Sequence, residues 1–309
     1  MIIDRNNLAL LGRSFRTLAM ESLDGAEPQW GQVAMEVPST TTQNDYGWLN
    51  DVPGMREWLD EREVANLSSS DYSIKNREFE LTVGVKRPHI EDDNLGQYNP
   101  MFRMLGQAVA DHPDQLVFEL LKNGFTELCY DKLAFFAVSH KLKVNDSEKT
   151  FSNKGTKTLT RSEFRSALAL MRKITNRRGR SLRSFQRKAS TKPLLVIGPD
   201  NDSTATEIVG LSTLSTAGAN PDFGAANILV CPDLVDAAAP YWFLLDTSFP
   251  VRPLILQRRK QPEFVAKDSL TDDNVFYRNE YHYGFDDRKN VGFGFWQLAF
   301  GSTGATAGA

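Results

Sequence analysis

Cys129 and His140 are the two residues of this chain best suited to covalent chemistry, a thiol as nucleophile and an imidazole to take its proton. Their setting argues against it. Cys129 lies between Leu128 and Tyr130, where a small buried residue is expected. The other histidines, His89, His112 and His282, are scattered, and none has metal-ligand spacing with a cysteine. Glu91, Asp92 and Asp93 offer hard oxygen ligands for a divalent cation. They equally suit a solvated acidic turn before a helix, or a contact with a basic neighbour. No GxxxxGK[ST], GxGxxG opening a helix, HExxH or GxSxG occurs. No catalytic, metal or cofactor site is expected, and the chain reads as a non-enzyme.

A second kind of chemistry is electrostatic. The formal net charge is −3, which excludes a dedicated nucleic-acid binder as a whole. Yet no acid lies between Phe164 and Pro199, while Arg165, Arg172, Lys173, Arg177, Arg178, Arg180, Arg183, Arg187, Lys188 and Lys192 gather there. Such a run is a solvated face, or it meets phosphates or an acidic neighbouring surface.

The elements that must carry these residues come from periodicity. With 41% hydrophobic and 24% charged residues in 309, the balance is that of a soluble protein with one large lobe or two. No run of about twenty apolar residues exists, so no membrane span or membrane partner is expected. The first twenty residues lack a signal-peptide pattern and read as an amphipathic helix through Leu8, Leu11, Phe15 and Leu18, either core or a docking arm. Two cysteines without a CxxC suit a reducing compartment.

From Glu78 to Lys86 the residues alternate. Phe79, Leu81, Val83 and Val85 share one face, and Glu78, Glu80, Thr82, Gly84 and Lys86 the other. The phase slips near Lys75 and Asn76, and residues 62–87 form a long charged hairpin whose apolar face needs a cover. Asn99 and Pro100 can open a helix running to Asn123, about 35 Å long if His112 and Pro113 leave it nearly straight. Thr160 and Glu163 form a capping box before a helix reaching Gly179. Apolar runs at 194–198 and 227–230 predict strands buried on both faces. Further strands are expected at 241–245, 253–257 and 275–283, with a late aromatic strand at 290–300. Helices and strands mix without steady βαβ alternation, so the class is α+β.

This order of parts resembles the tailed-phage major capsid protein fold, named after phage Hong Kong ninety-seven. YGWL at 46–49, REWL at 56–59, YSIKNREFELTVGVKR from Tyr72, IEDDNLGQYNPMF from Ile90 and ELLKNGFTELCYDKLAFF are similar to the major head subunit of Mu-like phages and prophages. The resemblance implies an N-terminal arm at 1–50, an extended loop at 51–93 and a peripheral domain at 94–159 with 247–309. It places a spine helix at 100–123 and an axial domain at 160–246. It implies a structural subunit that assembles into hexamers and pentamers of an icosahedral head, a virion component built in the bacterial cytoplasm. The implied partners are copies of the chain, a scaffold or protease, a portal, decoration proteins and double-stranded DNA bound without sequence specificity.

The missing cover for Phe79, Leu81, Val83 and Val85 would then come from a neighbouring subunit, with Arg62, Glu63, Arg77, Glu78, Glu80, Lys86 and Arg87 setting angle and register. Arg177, Arg178, Arg180, Arg183, Arg187 and Lys188 would face DNA or an assembly partner. Lys75 and Asn76 are the residue types of a covalent loop cross-link in some members of the wider fold, which is not expected here. The competing readings are a nanocompartment shell of the same fold enclosing protein cargo, and a cysteine hydrolase using Cys129 and His140.

Overall fold

The computed structural model describes residues 4–50, 72–92, 96–144, 147–182, 184–185, 191–213 and 218–304. Helix α1 (Arg5–Asp24) and the short α2 (Trp30–Val33) lead into strands β1 (Ala34–Pro38), β2 (Gln43–Asp45), β3 (Ser73–Lys75) and β4 (Arg77–Lys86). Helices α3 (Arg87–Glu91) and α4 (Asn99–Asn123) follow, then β5 (His140–Val144), β6 (Ser147–Phe151), β7 (Lys154–Gly155) and α5 (Arg161–Lys173). The remainder comprises β8 (Leu194–Ile197), α6 (Asp202–Ala205), β9 (Asn227–Val230), β10 (Trp242–Leu245), β11 (Leu254–Lys267), α7 (Asp273–Arg278), β12 (Glu280–Phe293) and β13 (Ala299–Ser302).

Two sheets organise the molecule. A four-stranded sheet runs β1-β11-β12-β4 and a five-stranded sheet runs β7-β13-β10-β8-β9; β2-β3 and β5-β6 form separate pairs. The apolar runs behave as their composition predicts. In β8 and β10, Leu194, Val196, Phe243 and Leu245 enter one core, and Leu195, Ile197, Trp242 and Leu244 enter a second core shared with α5. Both faces are buried, as continuous Val/Ile/Leu strands require.

A third core joins α1, α4, β4 and β12. Leu8, Leu11, Phe15 and Ala19 form the buried face of α1, so Ala19 rather than Leu18 completes the stripe. Phe15 stacks on Phe102 of α4 with ring centroids 4.0 Å apart and meets Tyr283 of β12 edge-on at 5.4 Å. The two helices touch at Gly106, where a Cβ would sit 2.1 Å from the Ala19 carbonyl oxygen. The α1 helix therefore belongs to the chain's own core, the first of its two expected roles.

Several boundaries move for local reasons. The long helix begins at Asn99 itself after a 3-10 turn at Gly96–Tyr98, and it carries Pro113 internally. At α5 the Thr160 side chain accepts from the Glu163 amide at 3.2 Å, but Glu163 turns to Lys157 at 2.9 Å, leaving half of the capping box. That helix stops at Lys173, well short of Gly179, which instead adopts positive φ in a tight turn. Residues 275–283, expected as one strand, are split between α7 and β12 because Asn279 takes the left-handed conformation at the helix end. The expected strand at 290–300 is the end of β12, a 3-10 turn and the start of β13. The expected strand at 253–257 is the beginning of the 14-residue β11.

Candidate subunit interface

The strand read as one arm of a hairpin is β4, and its described partner is β12, antiparallel from Lys86 opposite Glu280 to Arg77 opposite Lys289. Among the described residues β4 is an edge of its sheet. The first arm, with Arg62 and Glu63, lies outside the described residues. The slip near Lys75 and Asn76 is a corner: β3 pairs with β2, and beyond Asn76 the chain joins the other sheet as β4.

A buried polar network pins that corner. Asn76 donates its side-chain amide to Ser39 Oγ (2.9 Å) and the Thr41 carbonyl (2.8 Å), and its backbone amide to Thr42 (2.9 Å). Gln257 of β11 donates to Asn76 Oδ1 (2.8 Å) and the Ile74 carbonyl (3.0 Å), and accepts from the Tyr46 hydroxyl (2.8 Å). Burial pushes the Tyr46 phenol up to about 12, so it remains a donor at neutral pH. Asn76 is thus a buried structural residue, and its side-chain amide is occupied within the chain.

The inward face of β4 requires a correction. Val85 is fully buried and Val83 half-buried in the chain's own core, opposite Tyr281 and Tyr283. No neighbouring subunit is needed to cover them, because α1 and α4 already do. Phe79 is half-buried, its ring edge-on to His112 of α4 at 4.4 Å, with Arg77 at 5.4 Å and Lys289 at 5.6 Å from its centroid. Leu81 is the apolar residue of this face left open, 41% exposed beside a cleft of about 260 Å³ between β4, β12 and α4. At the base of that cleft Lys289 is bonded to Asp287, both buried. Burial lowers the Lys289 pKa against the opposing pull of Asp287. It also lowers that of His112, with Lys289 acting in the same direction.

The outward face is polar and exposed. Glu78 pairs with Arg288 at 3.2 Å, and Arg87 with Glu91 at 3.0 Å. Glu80 stands directly opposite Asp286, a like-charge pair across the ladder. Lys260 holds Asp286 at 2.7 Å, whereas Glu80 accepts from Thr82 Oγ1 at 2.7 Å.

The basic run lies elsewhere in the chain, on α5 and the turn that follows it. Arg177, Arg178 and Arg180 sit on a turn whose Arg178 and Arg180 amides donate to Asn176 Oδ1 at 3.0 Å each. Arg165 is tied to Asp222 at 2.9 Å and Arg161 to the same carboxylate at 3.4 Å, so an acid distant in sequence offsets the basic face of a helix whose one acid, Glu163, turns to Lys157. Arg183, Arg187 and Lys188 lie outside the described residues.

The covalent-chemistry pair dissolves. His140 bonds Asp131 Oδ2 at 2.5 Å through Nδ1 and the Phe135 carbonyl at 3.3 Å through Nε2, and its ring stacks on Trp296 at 4.1 Å. Cys129 is buried, its sulfur faces the Gly294 carbonyl at 4.0 Å, and burial pushes its thiol well above the usual range. A protonated thiol without a base is no nucleophile. Among the described residues no group of three potential ligands forms a metal site; Asp93 is outside them.

Sequence reasoning missed the Asp287–Lys289 pair and Gln257. The pair was readable, since both residues continue the alternation of Tyr281, Tyr283 and Phe285 on the inward face. Gln257 gave no such signal.

An edge strand with a charged outer face, a long helix beneath it and a separate five-stranded sheet together define a class that solved structures share. The chain matches a subunit of the bacteriophage JBD30 procapsid with a TM-score of 0.61 at 33% identity, over 99% of this chain and 78% of that one. It matches the mature capsid of bacteriophage PhiM1 at 0.55 with 10% identity, over 90% and 87%, a likeness of fold alone. The class is the tailed-phage capsid fold of the Hong Kong ninety-seven type, in its α+β form.

The model of the Mu-like prophage major head subunit gpT family matches residues 8–158 and 233–307. The major capsid protein of Escherichia phage Mu is 31% identical over 299 residues, 97% of this chain and 74% of that protein. The Mu-like prophage FluMu major head subunit of Haemophilus influenzae is 30% identical over 291 residues, 93% and 69%. The chain belongs to the Mu-like prophage major head subunit family. It is a structural capsid protein that works beside other capsid subunits in a phage capsid shell, and it is not an enzyme.

Proposed function

We propose that the chain self-assembles into hexamers and pentamers that close an icosahedral head around double-stranded DNA, in the cytoplasm of a bacterial host. Residues 1–50 serve as the N-terminal arm, 51–93 as the extended loop, 94–159 with 247–309 as the peripheral domain with α4 as its spine, and 160–246 as the axial domain. Scaffold or protease, portal and decoration proteins are its further partners.

The observation that carries this reading is the unfinished surface of β4: Leu81 open at its cleft, and Glu80 facing Asp286. A cation from a neighbouring copy pairs with Glu80, the member of that pair that Lys260 does not hold, and an apolar side chain covers Leu81. Arg62, Glu63, Arg77, Glu78, Phe79, Lys86 and Arg87 complete the contact. Each exposed pair is worth about 0–1 kcal/mol. Strength comes from repetition, because every subunit meets several others at once. The arginine turn at 177–180, with Arg183, Arg187 and Lys188, meets DNA phosphates without reading bases.

Negative-stain electron microscopy of the full chain, over a range of protein and salt concentrations, tests the reading. Closed shells, tubes or ring-shaped capsomers are expected. Particles that stay monomeric under every condition, including with the other head proteins present, contradict it.

A further inference from the structure

The cleft between β4, β12 and α4 holds a carboxylate oxygen that the chain itself does not use. Asp287 lines this cleft and is 5% exposed. Its Oδ2 is bonded to Lys289, while its Oδ1 has no hydrogen-bond partner among the described residues. A buried acceptor beside open space calls for a donor, because an unmet one carries its full desolvation cost. The walls suit an aliphatic stem, since Phe79, Leu81 and Val109 line them.

The mouth of the cleft is acidic. Glu80, Asp286 and Glu263 stand abreast on β4, β12 and β11. Lys260 is bonded to Asp286 at 2.7 Å and to Glu263 at 3.0 Å, whereas Glu80 has the Thr82 hydroxyl at 2.7 Å. The other cations are committed as well, Lys289 to Asp287 and Arg288 to Glu78. With Arg77 beside Phe79 counted too, five acids face four bases and one net negative charge remains. His112 adds none at neutral pH, because burial holds its pKa below 6.5. The donor that fits is therefore a cation. Apolar walls select a guanidinium, which is more weakly hydrated than an ammonium and stacks on aromatic faces.

We propose that this cleft receives an arginine side chain of a second copy of the chain, its guanidinium donating to Asp287 Oδ1 and its alkyl stem lying against Phe79 and Val109. The inference rests on the shell-building reading and deepens it, naming the cation that β4 takes from its neighbour. A second copy has such side chains to give: Arg13 and Arg16 stand exposed on α1 without a side-chain partner among the described residues. Arginine is also the charged residue enriched at protein contacts.

Butylguanidinium carries the proposed group on a short alkyl stem, and butylurea is its uncharged counterpart. Added to the dissociated full-length chain, butylguanidinium is expected to shift the ring NMR signals of His112, which lines the cleft 4.4 Å from Phe79, in a saturable way. Butylurea is expected to leave them in place. Equal responses to the two compounds, or none to either, overturn the site. In assembly, butylguanidinium at about three times its dissociation constant is expected to raise the protein concentration at which particles appear about fourfold, by competition for the cleft. Particles that appear at one concentration with either compound overturn the arginine contact and leave the shell reading standing, whereas a chain that forms no particles at all removes both. A second arm is Ala108→Phe, which fills the cleft from an exposed position of α4. This variant is expected to melt with the parent, to lose the His112 response and to assemble only at higher concentration. Assembly at the parent's concentration overturns the proposal.

Discussion

The five-stranded and four-stranded sheets draw on similar residue types but end differently. In β8 and β10 every residue is buried, one face against α5 and the other against the largest core. In β4 and in the later part of β11 the residues alternate, with the outer set exposed, although β11 opens on Leu254, Ile255, Leu256 and Gln257, which are all buried. A continuous apolar run needs cover on both faces, and here the chain's own cores supply it. An alternating strand leaves a polar face that costs nothing in water and remains available to a partner. The central strands of the first sheet are covered by folding, whereas the second keeps an exposed outer face on β4, which on the proposed reading serves assembly.

Substitutions should separate the two. Phe243→Ala, at a fully buried position of the five-stranded sheet, is expected to cost about 3–5 kcal/mol in urea unfolding and to abolish particles with the fold. Lys289→Met strands Asp287 without its buried partner and is expected to cost about 3 kcal/mol, most of it recovered when Asp287→Leu is added. Asn76→Ala removes one of Gln257's two acceptors and the amide donor to Ser39 Oγ and the Thr41 carbonyl, for about 1–3 kcal/mol. Leu81→Asp is expected to change unfolding by only about 0.5 kcal/mol while particle yield in sedimentation falls sharply. Equal losses in folding and assembly from that change would erase the distinction between the sheets.

The smallest effect is in pH. Burial and Lys289 hold the pKa of His112 below its usual 6.5, so on acidification the unfolded chain binds that proton first. Stability therefore falls as pH drops from about 6.5 toward the folded-state pKa and is unaffected by this group above 6.5. His112→Gln should flatten the slope in thermal melts as pH falls below about 6.5.

Much of the fold was legible because its signals are local. The runs at 194–198 and 227–230, the alternation at 78–86 and the stripe through Leu8, Leu11 and Phe15 each specify an element without reference to the rest. What covers an element is not local. Val85 looked orphaned in sequence and is buried because α1 and α4 return over it. The 275–283 segment read as one strand although Asp272 and Asp273 mark a helix start, and that error hid Phe276 and Tyr277 on the outer surface of α7. Arg165 looked unneutralised until Asp222 folded onto it. Of the four apolar residues expected on the candidate interface, the chain's own fold leaves open Leu81 and the half-covered Phe79.

Hydroxyl-radical footprinting of the dissociated chain against assembled particles measures the central claim most directly, residue by residue. Leu81 and Phe79 of the unfinished sheet should lose reactivity on assembly, while Phe243 and Trp242 of the finished sheet stay equally unreactive in both states. Unchanged reactivity at Leu81 in intact shells would contradict the account.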